Sequence, residues 1–184
     1  MENYQGHRNS HLEKNKIYFW TATIHEWKNL IVKDEYKRVT IDSLKWLVHN
    51  KLAEVYAFVI MPNHIHLVWQ ILKNNGKESP QGSLLKYTAH TFRKMLYKEN
   101  REMLKDYEVQ ASNKEHEFWQ RDSLAIPMFS KEVIFQKIEY IHNNPQAGKW
   151  NLTKNPESYK YSSASFYTFG IDTFGILTHV NEVL

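Results

Sequence analysis

The stretch AEVYAFVIMPNHIHLVWQIL, residues 53–72, decides the fold. Its two halves, 53–62 and 64–72, are rich in β-branched and aromatic residues, which favour strands. Only Pro62 and Asn63 stand at the junction, and both residue types are common in turns. The stretch therefore predicts two antiparallel strands joined by a tight hairpin.

Further strands and helices alternate around this hairpin. Residues 17–27, IYFWTATIHEW, predict a strand ahead of it, and residues 34–50 predict a helix with Asp34 as its N-cap. The remaining predicted elements are a second helix over 83–100, a short strand within 118–129 and a third helix over 130–144. The order β-α-β-β-α-β is that of a ferredoxin-like α+β fold with an antiparallel sheet, here with an additional C-terminal helix.

The bulk composition is that of one domain. The chain has 184 residues, of which 42% are hydrophobic, and we expect a flexible arm at 1–16 and an irregular tail at 166–184. The absence of cysteine excludes disulfides, zinc–thiolate sites and cysteine nucleophiles. The polar start and the short apolar runs favour a soluble, cytoplasmic protein. The net charge of +4 is a mild bias toward a polyanionic partner.

Two histidines of the hairpin share one face of its second strand. His64 and His66 are two residues apart and point to the same side, whereas Ile65, Leu67 and Trp69 point to the other. Two neutral imidazoles can bind one divalent cation and leave coordination positions open, as a catalytic metal requires. The alternative is a chance pair on a partly exposed strand, since the chain has ten histidines. Spacing alone does not decide between these interpretations.

The segment QKIEYIHNNP, residues 136–145, adds a tyrosine and an amide. Tyr140 and Asn144 are four residues apart and share a helix face, and Asn144 precedes Pro145 at the end of the helix. In one interpretation the Asn144 oxygen is a third metal contact, and Tyr140 holds its hydroxyl beside a metal-bound phosphate. In the other, Tyr140 is a packing aromatic and Asn144 caps the helix.

Three segments, in this order and spacing, resemble the single-tyrosine HUH transposases, and most closely their REP-associated tyrosine transposase (RAYT) branch: MPNHIHLVW (61–69), FWQR (118–121) and EYIHNNPQAG (139–148). HUH denotes His, a bulky apolar residue and His, which here are His64, Ile65 and His66. The resemblance implies that Tyr140 is the nucleophile and Asn144 the polar third metal ligand. It extends over roughly residues 15 to 165, and neither the arm nor the tail carries a matching motif.

The chemistry that this resemblance implies is strand transfer on single-stranded DNA. The Tyr140 oxygen would attack the phosphorus, the DNA 3′-hydroxyl would leave, and a 5′-phosphotyrosine would form. A second 3′-hydroxyl could then attack that bond and rejoin strands without ATP. The expected cofactor is a divalent metal, Mg²⁺ or Mn²⁺, because a phenol with a pKa near 10 is a poor nucleophile without assistance.

Single-stranded DNA with hairpin elements is the expected partner, and the sequence leaves both a monomer and a homodimer open. Binding of single strands combines cationic tracks with aromatic platforms. The cationic candidates, each of which also fits an ordinary solvent-exposed surface, are Lys86, Arg93, Lys94 and Arg121.

Two other functions compete with the transposase. One is a domesticated relative that nicks or only binds repetitive hairpin DNA or RNA. The other is a ferredoxin-like RNA-binding module whose open sheet face stacks bases. The two histidines on that face disfavour the second alternative.

Overall fold

A four-stranded antiparallel sheet is the centre of the computed structural model, which describes residues 12–111, 114–121 and 123–184. The strands in chain order are β1 (Ile17–Thr23), β2 (Ala53–Ile60), β3 (His64–Ile71), β4 (Glu108–Ala111), β5 (Lys114–His116) and β6 (Leu124–Pro127). The main sheet has the order β2-β3-β1-β6, and β4 and β5 pair separately. With β1 and β3 at its centre, the sheet has the predicted ferredoxin-like arrangement.

Helices cover both faces of this sheet. They are α1 (Asp34–His49), α2 (Pro80–Glu99), α3 (Arg101–Lys105), α4 (Lys131–Asn143) and α5 (Ala164–Phe169). No helix in the described ranges combines the length and the hydrophobicity needed to cross a membrane.

Capping residues explain where the helices begin. Ser130 caps α4, since its hydroxyl accepts the Val133 N–H. The prediction of Asp34 as the cap of α1 is wrong, because Lys33 occupies that position and Asp34 lies in the first turn. Helix α2 begins at Pro80, three residues before the predicted start, because a proline fits the first turn of a helix as well as it fits a loop.

The hairpin of residues 53–72 forms as predicted. Strand β3 pairs with β2 on one side and with β1 on the other, so it is buried along most of its length. Within the turn, the Met61 N–H donates to the His64 carbonyl. The pairing with β1 places Thr21 opposite His66 and Thr23 opposite His64, which fixes the neighbours of both histidines.

The sheet separates two hydrophobic clusters. On one face, Ile65, Leu67 and Trp69 pack in a cluster that includes side chains of α1 and α2. On the other face, Phe19 and Val68 pack against α4 through Ile134, Ile138 and Ile141. This alternation follows from the two-residue period of a strand, and it leaves His64 and His66 on the face that α4 only partly covers.

The chain ends contribute to this packing. In the segment 166–184, Ile176 and Val180 are buried and Leu177 forms a parallel bridge with Val55. The predicted flexible arm falls mostly outside the described residues. Of its described part, Leu12 is buried and the Asn15 N–H donates to the Ile71 carbonyl.

Candidate active site

A cleft of about 650 Å³ opens beside β3, on the face of the sheet that carries α4. Its floor comes from β3 and its wall from the end of α4 and the segment that follows. The four residues predicted to carry the chemistry all line this cleft: His64, His66, Tyr140 and Asn144. The structure thus brings together side chains that are about 80 positions apart in sequence.

The two imidazole rings converge at the base of the cleft. Their centres are 4.7 Å apart at an interplanar angle of 66°, and each residue is only 6% exposed. The Nδ1–H of His64 donates to Asn63 Oδ1 at 2.8 Å, and Nδ1 of His66 shares a hydrogen bond of 2.7 Å with Thr21 Oγ1. Because both Nδ1 atoms are engaged, Nε2 is the nitrogen that each ring has left for a metal.

The orientation of the Asn63 amide fixes the tautomer of His64. Its Nδ2 donates to the Trp27 carbonyl at 2.9 Å, so its Oδ1 is the atom that faces the histidine. A carbonyl oxygen only accepts hydrogen bonds, so the His64 proton must be on Nδ1. The lone pair of His64 is therefore on Nε2, the form that binds a cation.

Both histidines are held neutral. Burial lowers the pKa of His64 to about 4, with a smaller contribution from the positive charge of Lys149, while contact with the Asn144 side chain partly opposes the shift. Burial also lowers the pKa of His66 to about 3, helped by repulsion from His64, once that ring is protonated in acid, and from Lys137. Neither ring needs to lose a proton near pH 7 before it can bind a metal.

These pKa shifts predict that the folded protein is less stable in acid, when a chelator keeps the histidines free of metal. An unfolded histidine has a pKa near 6.5, so the contribution of each neutral ring is fully present above that pH and is lost as the pH falls toward 4. We expect the free energy of unfolding to drop by at most about 2 kcal/mol per histidine between pH 7 and pH 5. Denaturant unfolding at both pH values measures it. A His66→Gln variant should lose less than the wild type, and an equal loss would contradict the assignment.

Tyr140 stands at the edge of the cleft beside His66. Its ring centre lies 5.5 Å from that of His66 and 6.0 Å from that of Phe19, and the residue is 50% exposed. Helix α4 buries Ile138 and Ile141 against the sheet, which leaves Tyr140 outside the core. The side chain is therefore accessible to a substrate, unlike a tyrosine that only packs.

A lysine accompanies this tyrosine on the same helix. The Lys137 Nζ lies 5.7 Å from the centre of the Tyr140 ring and 5.0 Å from that of Phe19. Residues three apart on a helix are neighbours, so the position follows from the spacing. This cation favours a phosphate beside the phenol.

Asn144 closes the cleft from the other side. Helix α4 ends at Asn143, but Asn144 keeps helical backbone angles (φ −54°, ψ −42°), which preserves its four-residue relation to Tyr140. The residue is buried and its side chain interacts with His64. His142, between them in sequence, points elsewhere, since its Nε2 bonds to Ser163 Oγ at 2.9 Å.

These residues fit a divalent metal with a mixed donor set. No group of three His, Cys, Asp or Glu side chains suited to a metal occurs in the part of the chain that the structure describes. The available donors are two neutral imidazoles and the amide oxygen of Asn144. Such a set suits Mn²⁺ or Mg²⁺ and leaves positions for water and phosphate oxygens.

The predicted DNA-binding cations do not join this cleft. Helix α2 packs through Leu84, Phe92 and Leu96 on the sheet face opposite the histidines, so its Lys86, Arg93 and Lys94 lie on the far side. Lys86 pairs with Glu78 at 3.5 Å, Arg93 with Glu115 at 2.9 Å and Arg121 with Glu117 at 3.3 Å. These acids reduce the positive potential that the three paired cations present.

Several residues of the site escaped the sequence analysis. Thr21 and Lys137 support the predicted residues, and Trp27, Lys149 and Trp150 line the cleft. Lys137 was within reach of prediction because it lies one helical turn before Tyr140. The others come close to the histidines only through the strand register and the loop geometry.

Comparison with known proteins rests on structure alone. No protein-family model and no curated protein matches the sequence. The structure of a REP-associated tyrosine transposase bound to a REP hairpin superposes with a TM-score of 0.59 and 16% identity, over 98% of this chain and 93% of that one. The chain shares the fold of that transposase. This likeness confirms the predicted fold class.

A second solved structure is more distant. It is a candidate transposase from Deinococcus radiodurans, with a TM-score of 0.41 and 17% identity over 73% of this chain and 94% of that one. A score this low adds nothing to the comparison.

Proposed function

We propose that this chain is a single-tyrosine transposase of the HUH type, similar to the RAYT branch, which cleaves and rejoins single-stranded DNA with a divalent metal. The observation that carries the proposal is the half-exposed Tyr140 ring, 5.5 Å from the ring of His66, whose partner His64 lies 4.7 Å further on. A nucleophile, two neutral metal ligands and an amide oxygen in one open cleft match the needs of phosphoryl transfer.

In the proposed reaction, the Tyr140 oxygen attacks the phosphorus of a DNA phosphodiester. The O–P bond to tyrosine forms as the bond from phosphorus to the 3′-oxygen breaks. The phenol loses its proton, and the departing 3′-oxygen gains one. A divalent metal, when bound, polarises the phosphate and offsets the negative charge of the transition state. Lys137 adds positive charge beside the phenol.

The 5′-phosphotyrosine keeps the energy of the broken phosphodiester bond. A second DNA 3′-hydroxyl that enters the cleft can attack the same phosphorus and release Tyr140. The two strands are then joined without ATP. One chain supplies the whole set of groups, since Tyr140 and both histidines line one cleft. The proposal therefore does not require a homodimer.

Hairpin DNA is the substrate class that we propose. The support is the neighbour of the same fold, which was solved with a REP hairpin. The cleaved phosphate would lie in a single-stranded stretch, because a phenol fixed on a helix needs a backbone that can bend toward it. If Lys86, Arg93, Lys94 and Arg121 bind DNA, they would contact it away from the cleavage point, since none of them lines the cleft.

The test is the formation of a covalent protein–DNA adduct. We expect the protein, incubated with labelled single-stranded DNAs that carry hairpins and varied flanks, to yield a slower band on a denaturing gel. The band should require Mn²⁺ or Mg²⁺ and disappear with EDTA. Hairpin binding without an adduct on any substrate, at any metal concentration, would favour the domesticated binding protein over the transposase.

A further inference from the structure

A tryptophan at the mouth of the cleft has no role in the chemistry described so far. Trp27 is 57% exposed, although its ring centre lies only 6.3 Å from that of His64, at an angle of 67°. The exposed ring surface is available to a ligand.

The backbone that carries this ring adopts an unfavourable conformation. Glu26 and Trp27 both adopt left-handed angles, with φ of 52° and 57°, which residues other than glycine rarely do. Hydrogen bonds maintain the strained turn: the Trp27 N–H donates to the Ile24 carbonyl at 2.9 Å, and Asn63 donates to the Trp27 carbonyl. Strain of this kind is concentrated at functional sites.

The same amide joins the turn to the proposed metal site. Asn63 is buried. Its amide nitrogen contacts the Trp27 carbonyl, and its amide oxygen contacts the His64 ring. The position of the tryptophan is therefore set relative to His64 by one side chain. A second aromatic, the half-buried Trp150, lies 5.9 Å from His64, and the Lys149 Nζ lies 5.1 Å from the Trp150 ring.

We propose that Trp27 is a stacking platform for a nucleobase of the single-stranded DNA, one that neighbours the cleaved phosphate, with Trp150 as a second aromatic contact. This inference rests on the proposed function and adds a substrate-binding site to it. A phosphate at the two histidines would carry its adjoining bases close to both tryptophans, while Lys149 would meet the backbone charge. Base–aromatic stacking tolerates any base, so this site would hold the strand without reading its sequence.

Binding to two probes that differ only in their bases tests the platform. One is a fluorescent oligothymidylate of about 20 nucleotides, and the other is a matched strand of abasic sites, both measured by anisotropy in EDTA so that no strand is cut. We expect Trp27→Ala to weaken binding of the oligothymidylate by about tenfold and to change binding of the abasic strand by less than about twofold. Trp27→Phe, which keeps a ring, should restore most of the loss.

The control is Phe169→Ala, because Phe169 is 61% exposed on α5 and does not line the cleft, and its loss should leave both affinities unchanged. Equal losses for both probes, no loss for either, or no preference of the wild type for the probe with bases would each overturn the platform. The adduct assay distinguishes a failure of the stacking platform from a failure of the proposed strand transfer. Adducts in the wild type without a base-dependent effect of Trp27 refute the platform alone, and the reverse pattern refutes the strand transfer alone.

Discussion

Replacement of Tyr140 by phenylalanine is expected to abolish the covalent protein–DNA adduct. The substitution removes the only atom of that side chain able to form a bond to phosphorus, and it keeps the ring that contacts His66 and Phe19. Loss of a catalytic nucleophile typically costs several orders of magnitude in rate, so we expect at least about a 10³-fold reduction. Denaturing gels measure the adduct, and anisotropy should show that affinity for the same DNA changes by less than about twofold.

Tyr97 offers a matched control for this experiment. It is 56% exposed on α2, on the far side of the sheet, and Tyr97→Phe should leave adduct formation unchanged. If Tyr140→Phe still formed the adduct at the wild-type rate, another side chain would be the nucleophile. If both variants lost the adduct, the assay would be reporting a general effect of the substitution.

The second large effect is expected from His66→Ala. The Nδ1 atom of this ring is bound to Thr21, so its Nε2 is the nitrogen available to the cation, and alanine leaves His64 and Asn144 as the donors. We expect Mn²⁺ affinity in calorimetry and the rate of adduct formation each to fall by at least about 100-fold, since even residues that merely orient a metal ligand contribute 10- to 100-fold. Higher Mn²⁺ concentrations should restore part of the rate.

His142→Ala is the control for the loss of a largely buried, neutral histidine. Burial lowers the pKa of His142 to about 4, so its protonation state near pH 7 matches that of His66, but its ring bonds to Ser163 and does not line the cleft. We expect normal Mn²⁺ affinity for this variant. Unchanged Mn²⁺ binding in His66→Ala, or an equal defect in His142→Ala, would contradict a metal site at the histidine pair.

The local part of the fold was predictable from the sequence because it depends on short-range patterns. The hairpin of residues 53–72 combines strand-forming residues with one turn, and the two-residue period placed His64 and His66 on one face. The four-residue relation of Tyr140 and Asn144 survived because Asn144 keeps helical angles beyond the end of α4. In these places backbone geometry alone determines which side chains meet.

The parts that were missed depend on contacts between distant segments. Thr21 faces His66 only because of the register between β1 and β3. Trp27 comes near His64 through a left-handed turn that no residue type in HEW signals. The pairing of β4 with β5 was also missed. The basic residues of α2 stay predicted DNA contacts, but their position on the sheet face opposite the histidines was not predictable, because charge does not reveal which face of the sheet a helix covers.

The central claim is that the Tyr140 oxygen forms the bond to DNA, and mass spectrometry of the digested adduct tests it most directly. Trypsin should release residues 138–149, IEYIHNNPQAGK, in which Tyr140 is the only tyrosine. After nuclease trimming of the DNA, we predict that this peptide carries a 5′-linked nucleotide on Tyr140. A nucleotide on any other residue, with this peptide recovered unmodified, would contradict the proposed mechanism.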